Sequence, residues 1–261
     1  QRDSIKQRDI EQVVLIGYGA KKKSDLTGSI TALSEKDFNK GAITSAEGLL
    51  NGRTSGVVVT QSGTPGNDAV IRVRGGSSLL SSNDPLIVID GLPVEGGLSS
   101  INPNDIESFS ILKDASSTAI YGNRGSNGVI LITTKKGSKK KLQVSFNSFT
   151  TYNTLAKNVD VYNGDQFREI INTMAPDKAN LLGTANTNWQ DLIFRNTASF
   201  DSNLSLMGNL FDKIPSRLSI GHTENEGLLL TSNYKRSTAS FTLNPTLFDN
   251  HLKLNISGNY T

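Results

Sequence analysis

With 261 residues the chain can form one or two domains, and a hydrophobic content of 36% with a mean hydropathy of −0.29 leaves no apolar run long enough for a transmembrane helix. The 27 basic and 24 acidic residues, net +3, are too balanced to argue for a nucleic-acid partner. With no cysteine, disulfide frameworks, thiolate metal sites and cysteine nucleophiles are excluded.

Gln1 to Gln12 is polar and charged with no apolar period and reads as a tail or linker. No leader precedes Gln1, as expected for a mature or N-terminally shortened form of an exported protein. Val13 to Ile16 is apolar and β-branched, and reads as an extended segment. The runs Lys21 to Lys23 and Lys139 to Lys141 read as solvated loop ends.

From about residue 25 to 137 short strands mix with short helices. Val57 to Thr60, Ile71 to Arg74, Leu86 to Ile89, Phe109 to Leu112 and Val129 to Thr134 have strand length and composition. Asp90-Gly91 supplies a turn. Ser45 can cap a helix through Leu50, and Asn51-Gly52 can stop it. Asn102-Pro103 sets a cap residue before a proline at the first helical position. Ala115 to Ile120 reads as a helix of small residues. The glycines from Gly122 to Gly128 follow a helix and lack the Gly-Lys-Ser/Thr closure of a phosphate loop, so they read as tight turns. Asp90, Asp105, Glu107 and Asp114 have no histidine or serine beside them in a triad-like pattern. This half is expected to be a compact α+β domain, residues 25–137, preceded by a tail, residues 1–24.

Beyond Lys141 the pattern changes to alternating strands. Leu142, Val144 and Phe146 alternate with polar neighbours, as do Phe200, Leu204 and Leu206, then Leu218 and Ile220, then Phe241 and Leu243, then Leu252, Leu254, Ile256 and Tyr260, with Gly258 in step. Each strand thus has one apolar and one polar face. The connections run long (about 153 to 197), short (209 to 215), longer (223 to 233) and tight (Asp249-Asn250), the asymmetry of an outer-membrane barrel. A soluble sandwich produces the same alternation. Spanning strands need roughly 9–11 residues, so residues 138–261 supply about five, short of the smallest closed barrels. The expectation is a truncated barrel, since an open sheet with one apolar face is no stable end product. His222 and His251 lack metal-ligand spacing and are expected to be structural.

Several segments, in order, resemble the SusC/RagA family of TonB-dependent outer-membrane transporters. Glu11 to Gly19 resembles the entry to the plug, Leu49 to Val59 its first helix-to-strand passage, and Ile71-Arg-Val-Arg-Gly-Gly-Ser-Ser78 its arginine-glycine strand. Pro85-Leu-Ile-Val-Ile-Asp-Gly-Leu-Pro-Val94 resembles the plug hairpin, and Lys113 to Gly122 with Gly125 to Gly137 its end. Trp189 to Arg195 and Glu226 to Leu228 resemble early barrel and loop signatures.

The resemblance implies an α+β plug domain followed by antiparallel β-strands of an incomplete transmembrane β-barrel. In the family the plug sits in a barrel of about 22 strands. It implies active import rather than catalysis and no cofactor. The implied setting is the Gram-negative outer membrane, with the N-terminus periplasmic. Implied partners are TonB with its inner-membrane energising complex, a SusD-like surface lipoprotein, outer-membrane lipid, and an oligosaccharide or peptide substrate. Gln12, Val13, Val14, Leu15 and Ile16 fit a TonB-contact segment used by strand addition, and fit equally a first plug strand. Arg72 and Arg74 are expected to form an ionic latch between plug and barrel, with at least one of them paired to a wall carboxylate and the alternative that one is a solvent-facing strand residue. Ser77, Ser78, Ser81, Ser82, Asn83, Ser99 and Ser100 are expected on substrate-facing plug loops. The alternative is a soluble periplasmic or surface glycan-binding module, whose sheet would keep its polar faces outward.

Overall fold

The computed structural model describes the backbone of residues 13–16 and 19–22, and residues 30–41, 43–75, 82–95, 97–249 and 251–261 in full. Val13–Ile16 (β1) and Gly19–Lys22 (β2) pair as an antiparallel hairpin, and β1 lies against the later strand Val129–Thr134.

The plug is built on a five-stranded sheet. Its strands are Ile30–Ser34 (β3), Leu86–Ile89 (β6), Leu92–Val94 (β7), Ile106–Leu112 (β8) and Val129–Thr134 (β9), in the order β3-β8-β9-β6-β7. β6 and β9 run parallel and the other neighbours antiparallel. Asp90 and Gly91, at φ +49° and +90°, turn β6 into β7, the backbone that a tight hairpin of matching twist requires. A separate hairpin of Val57–Thr60 (β4) and Val70–Val73 (β5) packs on the sheet.

Val129–Ile132 of β9 is a continuous apolar run because both faces of the sheet are covered there. On one face Phe109, Ile111, Ile130 and Ile132 meet Leu49 and Leu50 of the short helix Ala46–Leu50 (α1), with Ile71 and Val73 of β5. Phe38 closes this core edge-on to Phe109, ring centroids 5.5 Å apart. On the other face Leu86, Val88, Leu112, Val129 and Leu131 pack with Ile30 and Tyr121. The helix of small residues is shorter than expected. Ala115–Thr118 (α2), capped by Asp114, gives way to a 3-10 segment that breaks at Gly122, φ +58°. The strand expected over Ile71 to Arg74 is Val70–Val73, and Arg74 lies past its end at φ +57°.

The second half is an antiparallel sheet of Gln143–Asn153 (β10), Thr197–Leu210 (β11), Ile214–Glu226 (β12), Asn233–Leu243 (β13) and Ile256–Tyr260 (β16), hydrogen-bonded in that order. The helices Gly164–Met174 (α3), with an Asn163–Gln166 capping box, and Trp189–Ile193 (α4) lie in the long connection after β10. The connection around Asp249 is less tight than expected. It holds a small hairpin of Thr246–Leu247 (β14) and Leu252–Lys253 (β15).

Register aligns the faces across the sheet. Val144, Leu206, Leu218, Phe241 and Gly258 form one row, and Phe146, Leu204, Ile220, Ala239 and Tyr260 the next. Between them runs Ser145, Ser205, Ser219, Ser240 and Asn259. The polar rows face the plug and the apolar rows face away. Arg217 and Ser219 are 5% and 2% exposed, whereas Leu218 and Ile220 are 43% and 53% exposed. The sheet is therefore a wall standing beside the plug, with its water-compatible side turned inward. Among the described residues it does not close on itself.

Candidate functional site: a polar cavity between plug and wall

The plug meets the wall through its Asn102-Pro103 corner. Asn102 caps the 3-10 turn Pro103–Asp105 by accepting from Asn104 N–H at 2.9 Å, as the sequence predicts. That turn aims two polar side chains at the wall. Asp105 Oδ1 accepts from Arg217 Nη2 at 2.7 Å, and its Oδ2 from Ser240 Oγ at 2.7 Å. Asn102 Nδ2 donates to Thr238 Oγ1 at 2.9 Å. Both partners of the ion pair are buried, so a desolvated charge on each side is matched by the other and by a hydroxyl. Gly221 sits opposite Thr238, and a Cβ there would lie 2.2 Å from Asn102 Nδ2. The wall strand is bare where the plug comes closest.

Further along β13, Arg236 reaches into the plug. Its Nη1 donates to Ser99 O at 2.7 Å and its Nη2 to Thr44 O at 3.0 Å, while its Nε has no partner. The guanidinium lies 6.0 Å from the Tyr234 ring centre. The plug loop between β4 and β5 turns at Gly66, φ +83°, directly on that ring; a Cβ there would fall 2.4 Å from it.

Between these contacts lies a cavity of about 540 Å³. The plug supplies Thr44, Ser45, Glu47, Ser99 and the loop 61–69, and the wall supplies residues 152–154, 225–228, Tyr234 and Arg236. It opens at the end of the sheet that carries the connections 154–196 and 227–232. Glu47 is 1% exposed. Burial pushes its carboxyl above the ordinary carboxylate range, and the Asp68 charge adds to this, against hydrogen bonds from its own N–H, the Ser45 side chain and Leu98 N–H. Its Oε2 has no partner. The expected helix cap does not form: the Ser45 side chain makes no capping hydrogen bond. Glu47 and Asp68 also border a second cavity of about 690 Å³, lined with Ile71, Leu86, Ile87, Leu98 and Arg124. The arrangement suits binding of a polar ligand. Among the described residues no cluster of three His, Asp or Glu side chains could hold a metal.

The predicted site residues are not brought together. Ser99 borders the first cavity, Ser100 faces the wall at its deeper side, and Ser82 borders the second cavity. Asn83 adjoins Ser82, half-buried. Gln12, Ser77, Ser78 and Ser81 lie outside the described residues. Val13 to Ile16 are paired with β2. Arg72 and Arg74 are exposed, and among the described residues neither meets a carboxylate. The buried pair that joins plug to wall here has the opposite polarity, acid on the plug and arginine on the wall. Arg217 and Arg236 carried no signal beyond occupying the polar phase of alternating strands, and Glu47 none beyond its place in a short helix.

Comparison with known proteins agrees with this architecture. The TonB-dependent Receptor Plug Domain family matches residues 22–129. The TonB-dependent receptor SusC of Bacteroides thetaiotaomicron is 48% identical over 96% of this chain, which covers 26% of that protein. A TonB-dependent receptor of Formosa agariphila is 38% identical over 97% of the chain, covering 27% of its own length. The chain spans about a quarter of these relatives. The structure of the RagAB peptide importer in its open-open state superposes with a TM-score of 0.73 and 26% identity, over 95% of this chain and 32% of that one. The chain belongs to the SusC-like TonB-dependent receptors, as a plug domain followed by antiparallel wall strands.

Proposed function

We propose that this chain is the gate and first wall of an importer in the outer membrane of a Gram-negative bacterium, driven by TonB and its energising complex. The observation that carries this reading is the orientation of the second sheet. Its apolar rows are exposed while its polar rows clasp the plug. A soluble binding module would turn them the other way. Along β11 the apolar face runs from Phe200 to Leu210, about 34 Å of strand. At a barrel tilt near 40° this projects to about 26 Å, the height of a lipid-facing band.

In this reading the end carrying 154–196 faces outside, and the short turn between Leu210 and Ile214 faces the periplasm. The cavity then opens outward and receives the substrate, an oligosaccharide or a peptide, handed over by a SusD-like lipoprotein. TonB adds a strand to Val13–Ile16, either at the edge not held by β2 or after the hairpin opens. Arg72 and Arg74 keep a latch role toward further wall strands. No chemistry on the substrate is required, and no cofactor.

Deleting residues 12–16 from the full-length gene product tests the reading. Energised uptake should fall to background while the protein still fractionates with the outer membrane. Recovery of the undeleted protein in the soluble periplasm would overturn it.

A further inference from the structure

Two turns at one end of the wall carry the same three residues. Leu210-Phe211-Asp212 leads from β11 into β12, and Leu247-Phe248-Asp249 leads from β14 into β15 on the way from β13 to β16. In both, the phenylalanine and the aspartate have positive φ, +51° and +58° in the first turn and +51° and +52° in the second. Lys213 N–H closes the first turn by donating to Leu210 O at 3.2 Å. Asn-Gly adopts this backbone readily, whereas a bulky side chain adopts it at a penalty. Nothing inside the fold offsets that penalty. The two rings are 81% and 75% exposed, and neither joins a core cluster.

The turns stand two strand spacings apart, about 10 Å. Leu210 is in phase with Leu206 on β11, so the apolar face that looks away from the plug runs down to the first ring. Leu247 and Leu252, paired and both exposed, adjoin the second. Toward the long connections the same face turns polar. Ser148, Ser202, His222 and Ser237 form one row, with Ser148 bonded to Ser202 and His222 to Ser237. In the next row Glu224 and Lys235 form an ion pair. The apolar surface is thus weighted toward the short turns.

We infer that the two Leu-Phe-Asp turns are anchors in a phospholipid surface, the periplasm-side leaflet of the outer membrane. Phe211 and Phe248 insert, and Asp212, Lys213 and Asp249, all exposed, stay at the level of the headgroups. This rests on the importer reading above, which sets this end of the wall toward the periplasm. A short turn standing in water needs only a polar tip. An apolar ring gains free energy only by leaving water, and the medium at hand is the lipid that covers Leu206 and Leu210. Ring burial there offsets the backbone penalty. Sliding the wall one way carries the rings into water, and sliding it the other way carries the charges into hydrocarbon. The turns therefore hold the wall at a fixed depth while the plug moves.

The test uses the full-length receptor in phosphatidylethanolamine–phosphatidylglycerol vesicles, with a nitroxide attached to Phe211→Cys, Phe248→Cys or, for reference, Asp212→Cys. Oxygen concentrates in hydrocarbon and a nickel chelate stays in water, so relaxation by each reads the surroundings of the label. At 211 and 248 oxygen should be several-fold the more effective, and at 212 the ratio should be lower. A dominant chelate at 211 and 248 puts the rings in water and overturns the inference. Exclusion of both reagents puts them against protein and overturns the lipid assignment. Phe211→Asn with Asp212→Gly, and Phe248→Asn with Asp249→Gly, relieve the backbone, yet should lower the melting midpoint in vesicles; a raised or unchanged midpoint overturns the anchor role. These results on a receptor that fractionates with the outer membrane strike the anchors alone. Recovery of the wild type in the soluble periplasm strikes the importer reading itself.

Discussion

Asp105 and Arg217 are 112 positions apart, yet their side chains meet at 2.7 Å with almost no exposure. Removing one partner of such a pair strands the other as a buried charge, which costs about 3–5 kcal/mol, more than most single changes. Asp105→Ala in the full-length receptor should therefore loosen the plug strongly, read as raised protease sensitivity of residues 30–134. Adding Arg217→Met should recover much of the loss, since an apolar replacement of both charges is often neutral. Glu47 behaves differently, because its carboxyl is raised by burial. A carboxyl raised in the folded state favours folding below its unfolded value near 4.5, and that contribution is lost as pH rises through the folded value. Glu47→Gln should thus stabilise the empty receptor at pH 7 and make little difference near pH 4, as thermal melting at the two pH values will show. Neither residue was legible as special in the sequence. Asp105 was one acid among several and Glu47 a first-turn residue of a five-residue helix, and their partners come from distant segments.

At the scale of elements, period-two alternation was the dependable signal. It locates β10 to β13, whereas the run from Leu252 to Tyr260, read as one strand, divides between β15 and β16; register then stacks Leu206, Leu218 and Phe241 on one face. Leu218→Arg should cost about 2–4 kcal/mol if the row lies at the bilayer midplane, and much less if it faces water. Unfolding in detergent or bilayer separates the two. Gly221→Val is expected to perturb the same strand from the other side, because any Cβ there meets Asn102. Loss of the cap and of the Asn102–Thr238 bond should lower stability by about 1–2 kcal/mol, read as a shift of the unfolding midpoint. Where sequence reading went astray, local chemistry had competitors. The small-residue helix tightens into a 3-10 segment after Thr118, while the break at Gly122, at positive φ, falls where the helix was expected to end. Ser45 stands at the start of α1 without a capping hydrogen bond. The connection after β13 folds into its own hairpin through Phe248 and Asp249, both at positive φ.

For the whole molecule, the sequence alone determined two kinds of folding unit, many of the strand positions, and the membership that SusC at 48% identity bears out. These rest on local patterns: apolar runs for strands buried on both faces, alternation for strands with two environments, and turn residues between them. Tertiary structure alone decided which face of the second sheet is inside. Alternation is symmetric under that choice, since the same Leu-Ser-Ile-Gly reading describes a soluble sheet with an apolar core or a wall with a polar one. The choice falls to Asp105, Asn102, Thr44 and Ser99, which present charge, amide and carbonyl groups to the wall and can be satisfied only by its polar rows. Burying the plug's polar corner against Arg217, Thr238 and Arg236 turns Leu204, Leu218 and Phe241 away from it.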